Sequence, residues 1–145
     1  MSFLNSLKIS ASGLASQRTR MNAISSNLAN VNTTRTPEGG PYRRKDAVFE
    51  TTDVSEIFGD VFQDKVNKNF QGVKVSEISE DPRAIKLEYN PTHPDANEEG
   101  YVALPDINFI KEMVDLMEAK RSYQANVTAI QTAREMALKA LEIGR

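Results

Sequence analysis

From Ile107 to Ile143 the chain contains neither glycine nor proline, and the stretch is bounded by Pro105 and Asp106 before it and Gly144 after it. Those flanks are a helix start and a helix stop, so the sequence predicts one uninterrupted helix. At 1.5 Å per residue it would run for roughly 55 Å. Its apolar positions include Ile110, Met113, Val114, Met117, Tyr123, Val127, Ile130, Ala137, Leu138 and Leu141. They make a stripe broad enough to pack on more than one neighbour.

A second helix is expected at the other end, from about Ser2 to Val31, with Ser2 as N-cap. Leu7, Leu14, Met21 and Leu28 recur at intervals of seven, and Leu4, Ala11, Ile24 and Val31 fill in at three and four. That is a near-heptad stripe. The same segment carries Gly13, Asn22, Asn27, Asn30 and Asn32 beside Ser25 and Ser26. Such residues favour local side-chain to backbone bonds over helix, so alone in water this helix would be marginal.

Between the helices the pattern changes. "TPEGGPYRR" (36–44) breaks the first helix with two prolines and two glycines. "GVKVSEI" and "AIKLEY" alternate apolar with polar residues on either side of "SEDPR" and read as a hairpin. "DAVFET" (46–51) is compatible with a further strand, and Val54 to Val66 is spaced like a short helix interrupted by Gly59. "NPTHPDANEEGYVALP" (90–105) reads as an extended loop back to the long helix. The expected class is therefore α+β: long terminal helices pairing as a coiled-coil-like bundle around a small insert that contains a β-hairpin. The divisions are 1–35, 36–105 and 106–145.

Composition narrows the functions. With no cysteine, disulfides and thiolate chemistry are excluded. No apolar run approaches the roughly 20 residues of a membrane span, and the first residues lack the apolar block of a cleaved signal. Charge is segregated: residues 1–45 carry +6, residues 46–105 carry −8, and the remainder balances. Such a distribution suits head-to-tail contact between copies or with partners as well as it suits plain solvated surfaces. Nucleic acid is a poor fit, since Arg43, Arg44 and Lys45 form one short cluster in a chain of pI about 5.5.

Catalysis finds little support. The single histidine, His93, lies in a Pro-rich turn, and no phosphate loop or calcium loop spacing occurs. No cofactor or metal is expected. The informative stretches are the Asn-rich end of the first helix and "EAKRSYQAN" (118–126), where polar side chains either face solvent or sit between tightly packed helices and fix register.

The stretch "SASGLASQRTRMNAISSNLANVNTTRT" resembles the N-terminal signature of the bacterial flagellar axial proteins of rod and hook. The residues that carry it are Leu14, Gln17, Met21, Ile24, Ser25, Asn27, Leu28, Ala29, Asn30, Asn32 and Thr33. The closing helix is similar to that of the same family through Arg121, Tyr123, Ala125 and Asn126. The middle segments resemble the proximal rod members, whose inserts are short, with Asp106 where the pattern leads one to expect Asn.

The resemblance implies that both helices pair and pack laterally in a tube around an export channel, with the insert outward. It implies a drive-shaft segment exported as a largely unfolded chain through the flagellar type III apparatus. Expected partners are further copies, proximal and distal rod proteins and the protein joining rod to membrane ring, with no nucleic acid and no membrane insertion. On this reading Leu7, Leu14, Met21, Leu28, Val127, Ile130 and Leu141 pack. Asn27, Asn30, Asn32, Arg121, Tyr123 and Asn126 set register, with partners that assembly supplies. Two rival readings are a soluble coiled-coil adaptor for one helical partner and a small hydrolase using His93 with Asp95.

Overall fold

The structure, a computed structural model, describes residues 3–53, 70–81 and 85–144. Its elements are helix α1 (Phe3–Ala29), strands β1 (Lys45–Asp53), β2 (Gln71–Glu80), β3 (Ile85–Tyr89) and β4 (Tyr101–Pro105), and helix α2 (Phe109–Ile143). The expected cap Ser2 and the short helix expected over 54–66 lie outside the described residues.

Both helices end for visible reasons. At the close of α1, Asn30 turns its amide back, donating from Nδ2 to the Ser26 carbonyl at 2.9 Å and accepting from Thr33 Oγ1 at 3.1 Å. The Ser26 carbonyl, which also accepts the Asn30 N–H, thus takes a second donor, and the Thr33 N–H closes on the Asn30 carbonyl at 3.1 Å, one of those that a helix end leaves open. Helix α2 opens on Asn108, whose side chain accepts from the Lys111 N–H at 3.1 Å. Asp106 is thus not the cap, and Pro105, expected to flank the helix, instead ends β4. At the other end the Gly144 N–H closes on the Ala140 carbonyl.

The strand pairing differs from the expected hairpin. Strand β2 pairs with β1, from Lys45 opposite Glu80 to Asp53 opposite Gln71, with an irregularity between Val48 and Phe49. Strand β3 pairs with β4, from Ile85 opposite Pro105 to Tyr89 opposite Tyr101. Alternation marks a strand without naming its partner. What decides β3 is a turn built on the far side of it: Asn97 Oδ1 accepts from the Glu99 and Tyr101 N–H groups, and Gly100 adopts φ +83°. A Cβ there would lie 2.9 Å from the Tyr89 ring, so glycine serves both the left-handed backbone and the close approach. The expected loop 90–105 therefore holds β4 in its second half.

The helices run antiparallel, side by side. Gly13 faces Asn126, Arg20 reaches Asp115 at 3.9 Å, and Asn27 meets Glu112. Along α2 the positions facing α1 recur at intervals of seven, through Glu112, Ala119, Asn126 and Ala133, and each is buried or half-buried. Two of the four are alanine and one meets a glycine, so the helices approach closely with little apolar bulk between them. Gly13, a drawback for helix propensity, is here the space for Asn126.

Candidate assembly site

The β1–β2 hairpin is fastened to α1 by small hydroxyls. Ser12 Oγ accepts from the Val73 N–H at 3.1 Å while donating to the Ile9 carbonyl at 2.7 Å, and Ser16 Oγ donates to the Val73 carbonyl at 3.1 Å. One helical turn separates the two serines, which matches the reach of one residue's two backbone groups. The outer edge of β2 is thereby satisfied at that point by side chains instead of by another strand. Ser12→Ala strips the Val73 N–H of its acceptor and is expected to cost about 1–2 kcal/mol, read as a lower urea midpoint with unchanged slope.

A buried polar junction ties the helix ends to the start of the hairpin. Asn27 is 0 % exposed, and its amide fills every position it has. Nδ2 donates to the Lys45 carbonyl at 2.8 Å and to Glu112 Oε2 at 3.1 Å, and Oδ1 accepts from the Lys45 N–H at 2.9 Å. The Tyr42 hydroxyl lies 3.1 Å from that same oxygen and 3.0 Å from Ser26 Oγ. Glu112, 1 % exposed, receives Arg44 Nε at 2.8 Å on its other oxygen. Arg44 also holds Asp46 at 3.2 Å.

A buried carboxylate survives only when paired and hydrogen-bonded, and Glu112 is both. Burial works against the Arg44 charge, but its hydrogen bonds to Glu112 and Asp46 outweigh this and hold its proton more tightly than usual. Outside the junction, Lys45 is likewise raised, chiefly by its hydrogen bond to Glu80.

The expected register residues therefore divide. Asn27 takes its partners from its own chain, which corrects the expectation that assembly supplies them: the segment after α1 folds back along it and brings Tyr42 and Lys45 within reach. Asn30 is spent on the end of α1, and Asn126 lies against Gly13 while donating to the Ser122 carbonyl at 3.1 Å. Tyr123 is half-buried, and Asn32 and Arg121 are exposed. Glu112, Arg44, Ser12 and Ser16 went unnoticed from sequence. The seven-residue spacing of Glu112 with Ala119, Asn126 and Ala133 was the signal that could have found the first.

The expected packing residues are not the core of the chain. Leu7, Leu14, Met21 and Leu28 are all half-buried. They fall roughly 140–180° around α1 from Ser12, on the side away from the hairpin. Val127 and Ile130 are half-buried, and Leu141 is 71 % exposed. Ile110, Met113, Val114 and Met117 lie around the far side of α2 from Glu112 and are exposed, Ile110 to 75 %. One buried side-chain acceptor, Gln17 Oε1, has no partner among the described residues.

His93 serves its own loop, where Nδ1 accepts from the Asp95 N–H at 3.1 Å, and the Asp95 carboxylate accepts from Thr34 Oγ1 at 2.8 Å. Among the described residues no group of three His, Asp or Glu is placed to hold a metal ion. No described helix is long and apolar enough to cross a membrane.

A family described as "Flagella basal body rod protein" matches residues 7–35, and one described as "Flagellar basal body rod FlgEFG protein C-terminal" matches residues 98–143. The chain is similar to the flagellar basal-body rod protein FlgC of Bacillus subtilis strain 168, 46 % identical with the whole of both chains covered. It is 40 % identical to that of Borreliella burgdorferi, covering 99 % of this chain and 98 % of the relative, and 38 % identical to that of Salmonella typhimurium over the whole of both. With its whole length covered at such identity, the chain belongs to the FlgC family of flagellar basal-body rod proteins, structural components of the rod.

Proposed function

We propose that the chain builds the proximal part of the rod, where it surrounds the export channel and transmits torque between the membrane ring and the distal rod. The observation that carries this reading is the pair of long antiparallel helices whose apolar stripe, Leu7, Leu14, Met21 and Leu28, faces away from the hairpin that the same chain supplies. A stripe that the chain leaves half-covered is suited to lateral contact with other helix pairs, packed to interior density and stiff under twist. Val127, Ile130 and Leu141 extend that contact, and Asn32, Arg121 and Tyr123 set its register. Gln17 Oε1 takes its missing donor from a neighbour.

The partners are further copies of the chain, other proximal and distal rod proteins and the protein joining rod to ring. The rod segment lies in the periplasm, and the chain reaches it through the flagellar export apparatus. No catalytic role is assigned to His93, whose ring is engaged with its own loop.

Leu14→Glu tests the reading. Facing away from the hairpin, the substitution is expected to cost the isolated chain about 1 kcal/mol or less. Basal bodies purified from cells carrying it should nonetheless lack the protein, and the cells should not swim. Normal basal bodies and normal motility would refute the packing role.

A further inference from the structure

Two features of the insert region stand outside the helix packing. One is a cavity of about 560 Å³ behind the end of α1, walled by Pro37, Pro41 and Tyr42 and lined by the cations Arg35, Arg43 and Lys45 against the carboxylates Glu38 and Glu80. Its shape is fixed by the 36–40 turn, where the Thr36 N–H donates to the Gly40 carbonyl at 2.9 Å and Gly39 and Gly40 adopt φ of +90° and +78°. Lys45, at its edge, is matched by Glu80 at 3.2 Å. Arg35 and Arg43 are both exposed, and neither has a hydrogen-bond or ion-pair partner among the described residues.

The other feature is the turn joining β3 to β4, which is closely tied by its own hydrogen bonds. Asn97 ties it twice through Oδ1 and twice through its backbone, donating to the Tyr101 carbonyl and accepting from the Gly100 N–H, each at 2.9 Å. At its tip stand Glu98 and Glu99, exposed and likewise without a side-chain partner among the described residues. A preset cavity that keeps a positive balance through two unmatched guanidinium groups, and a preset turn, the knob, with two unmatched carboxylates, are complementary in charge. Neither loses much conformational freedom when they meet.

We infer that the Glu98–Glu99 turn of one copy docks in the Arg35 and Arg43 cavity of the next. The contact rests on the proposed rod role and adds to it a second interface, outside the helix pairs, that orders copies head to tail. Arginine forks suit carboxylates in two-point pairing, and the contact runs in one direction only, since the cavity and the knob are different surfaces.

Charge reversal tests it. Arg35→Glu with Arg43→Glu, and separately Glu98→Lys with Glu99→Lys, are expected to reduce the amount of the protein in purified basal bodies about tenfold. All four substitutions in one chain should restore it to within about twofold. All four substituted positions are exposed, so urea unfolding of each soluble variant should match the parent chain. Unchanged incorporation after either reversal, or a fourfold variant no better than its parents, would overturn the docking.

The absence of native cysteine permits a direct reading as well. Arg43→Cys and Glu98→Cys on separate, co-expressed copies should give a disulfide-linked dimer in assembled basal bodies. A bond that forms only when both cysteines share one chain would place the knob in its own cavity and reject the contact between copies. Absence of the unaltered chain from basal bodies would instead defeat the rod role itself, which keeps the two failures apart.

Discussion

Arg44→Met should lower the stability of the chain by about 3–5 kcal/mol, seen as a large drop in the urea midpoint. The loss comes from what is left behind. Glu112 is 1 % exposed, and without the guanidinium it keeps only the Asn27 amide for a full negative charge. The reverse change, Glu112→Met, should cost clearly less. The Arg44 side chain is 23 % exposed and retains Asp46, so its charge is never stranded. Replacing both with methionine should recover most of the deficit, because two apolar side chains fill the space without an unpaired ion. A double variant as unstable as Arg44→Met alone would show that the pair itself, and not the stranding of Glu112, sets the cost.

Gly13→Leu is expected to be the next most damaging change, at about 2–3 kcal/mol. A Cβ built on Gly13 already lies 3.0 to 3.3 Å from the side-chain atoms of Asn126, before any further carbon is added. Gly13→Ala should be far milder, since the Asn126 amide can give by a few tenths of an ångström and alanine adds helix propensity. Combining Gly13→Leu with Asn126→Ala should recover part of the loss. Thermal unfolding of the three variants settles the point, and equal damage with and without the Asn126 change would exclude a local clash.

These two sites show what sequence reveals and what it conceals. The helices were legible because α2 has no breaker over its length, and because the stripes at Leu7 to Leu28 and at Ile110 to Leu141 keep helical period. Which side is covered was not legible. Periodicity marks an apolar face but does not say what lies against it, and here Ile110, Met113 and Met117 stand exposed while Asn27, Ser12, Ser16 and Glu112 are buried.

Glu112, Ser12, Ser16 and Arg44 were easy to pass over for particular reasons. An acid in the first turn of a helix reads as a solvated group favoured by the helix dipole, which is the ordinary place for one. Serines in a helix read as weak formers, and Arg44 as one third of a basic cluster. Each gains its role only through a segment distant in sequence: Val73 for the serines, Asn27 and Arg44 for the glutamate. Strand pairing failed for the same reason, since β2 found β1 across residues that carry no partner label.

The junction at Asn27 also governs when the chain can fold. Its groups come from positions 26 to 45 and from position 112, so the Asn27 to Glu112 bond closes a loop spanning 85 residues. Contacts so far apart cost loop-closure entropy before they return any stability, and chains that depend on them fold slowly. A chain ending before α2 leaves Asn27 short of one of its four bonds and Arg44 without its main counter-charge. Three of the four bonds can form within residues 27–45, but the lock shuts in full only after the last helix has arrived.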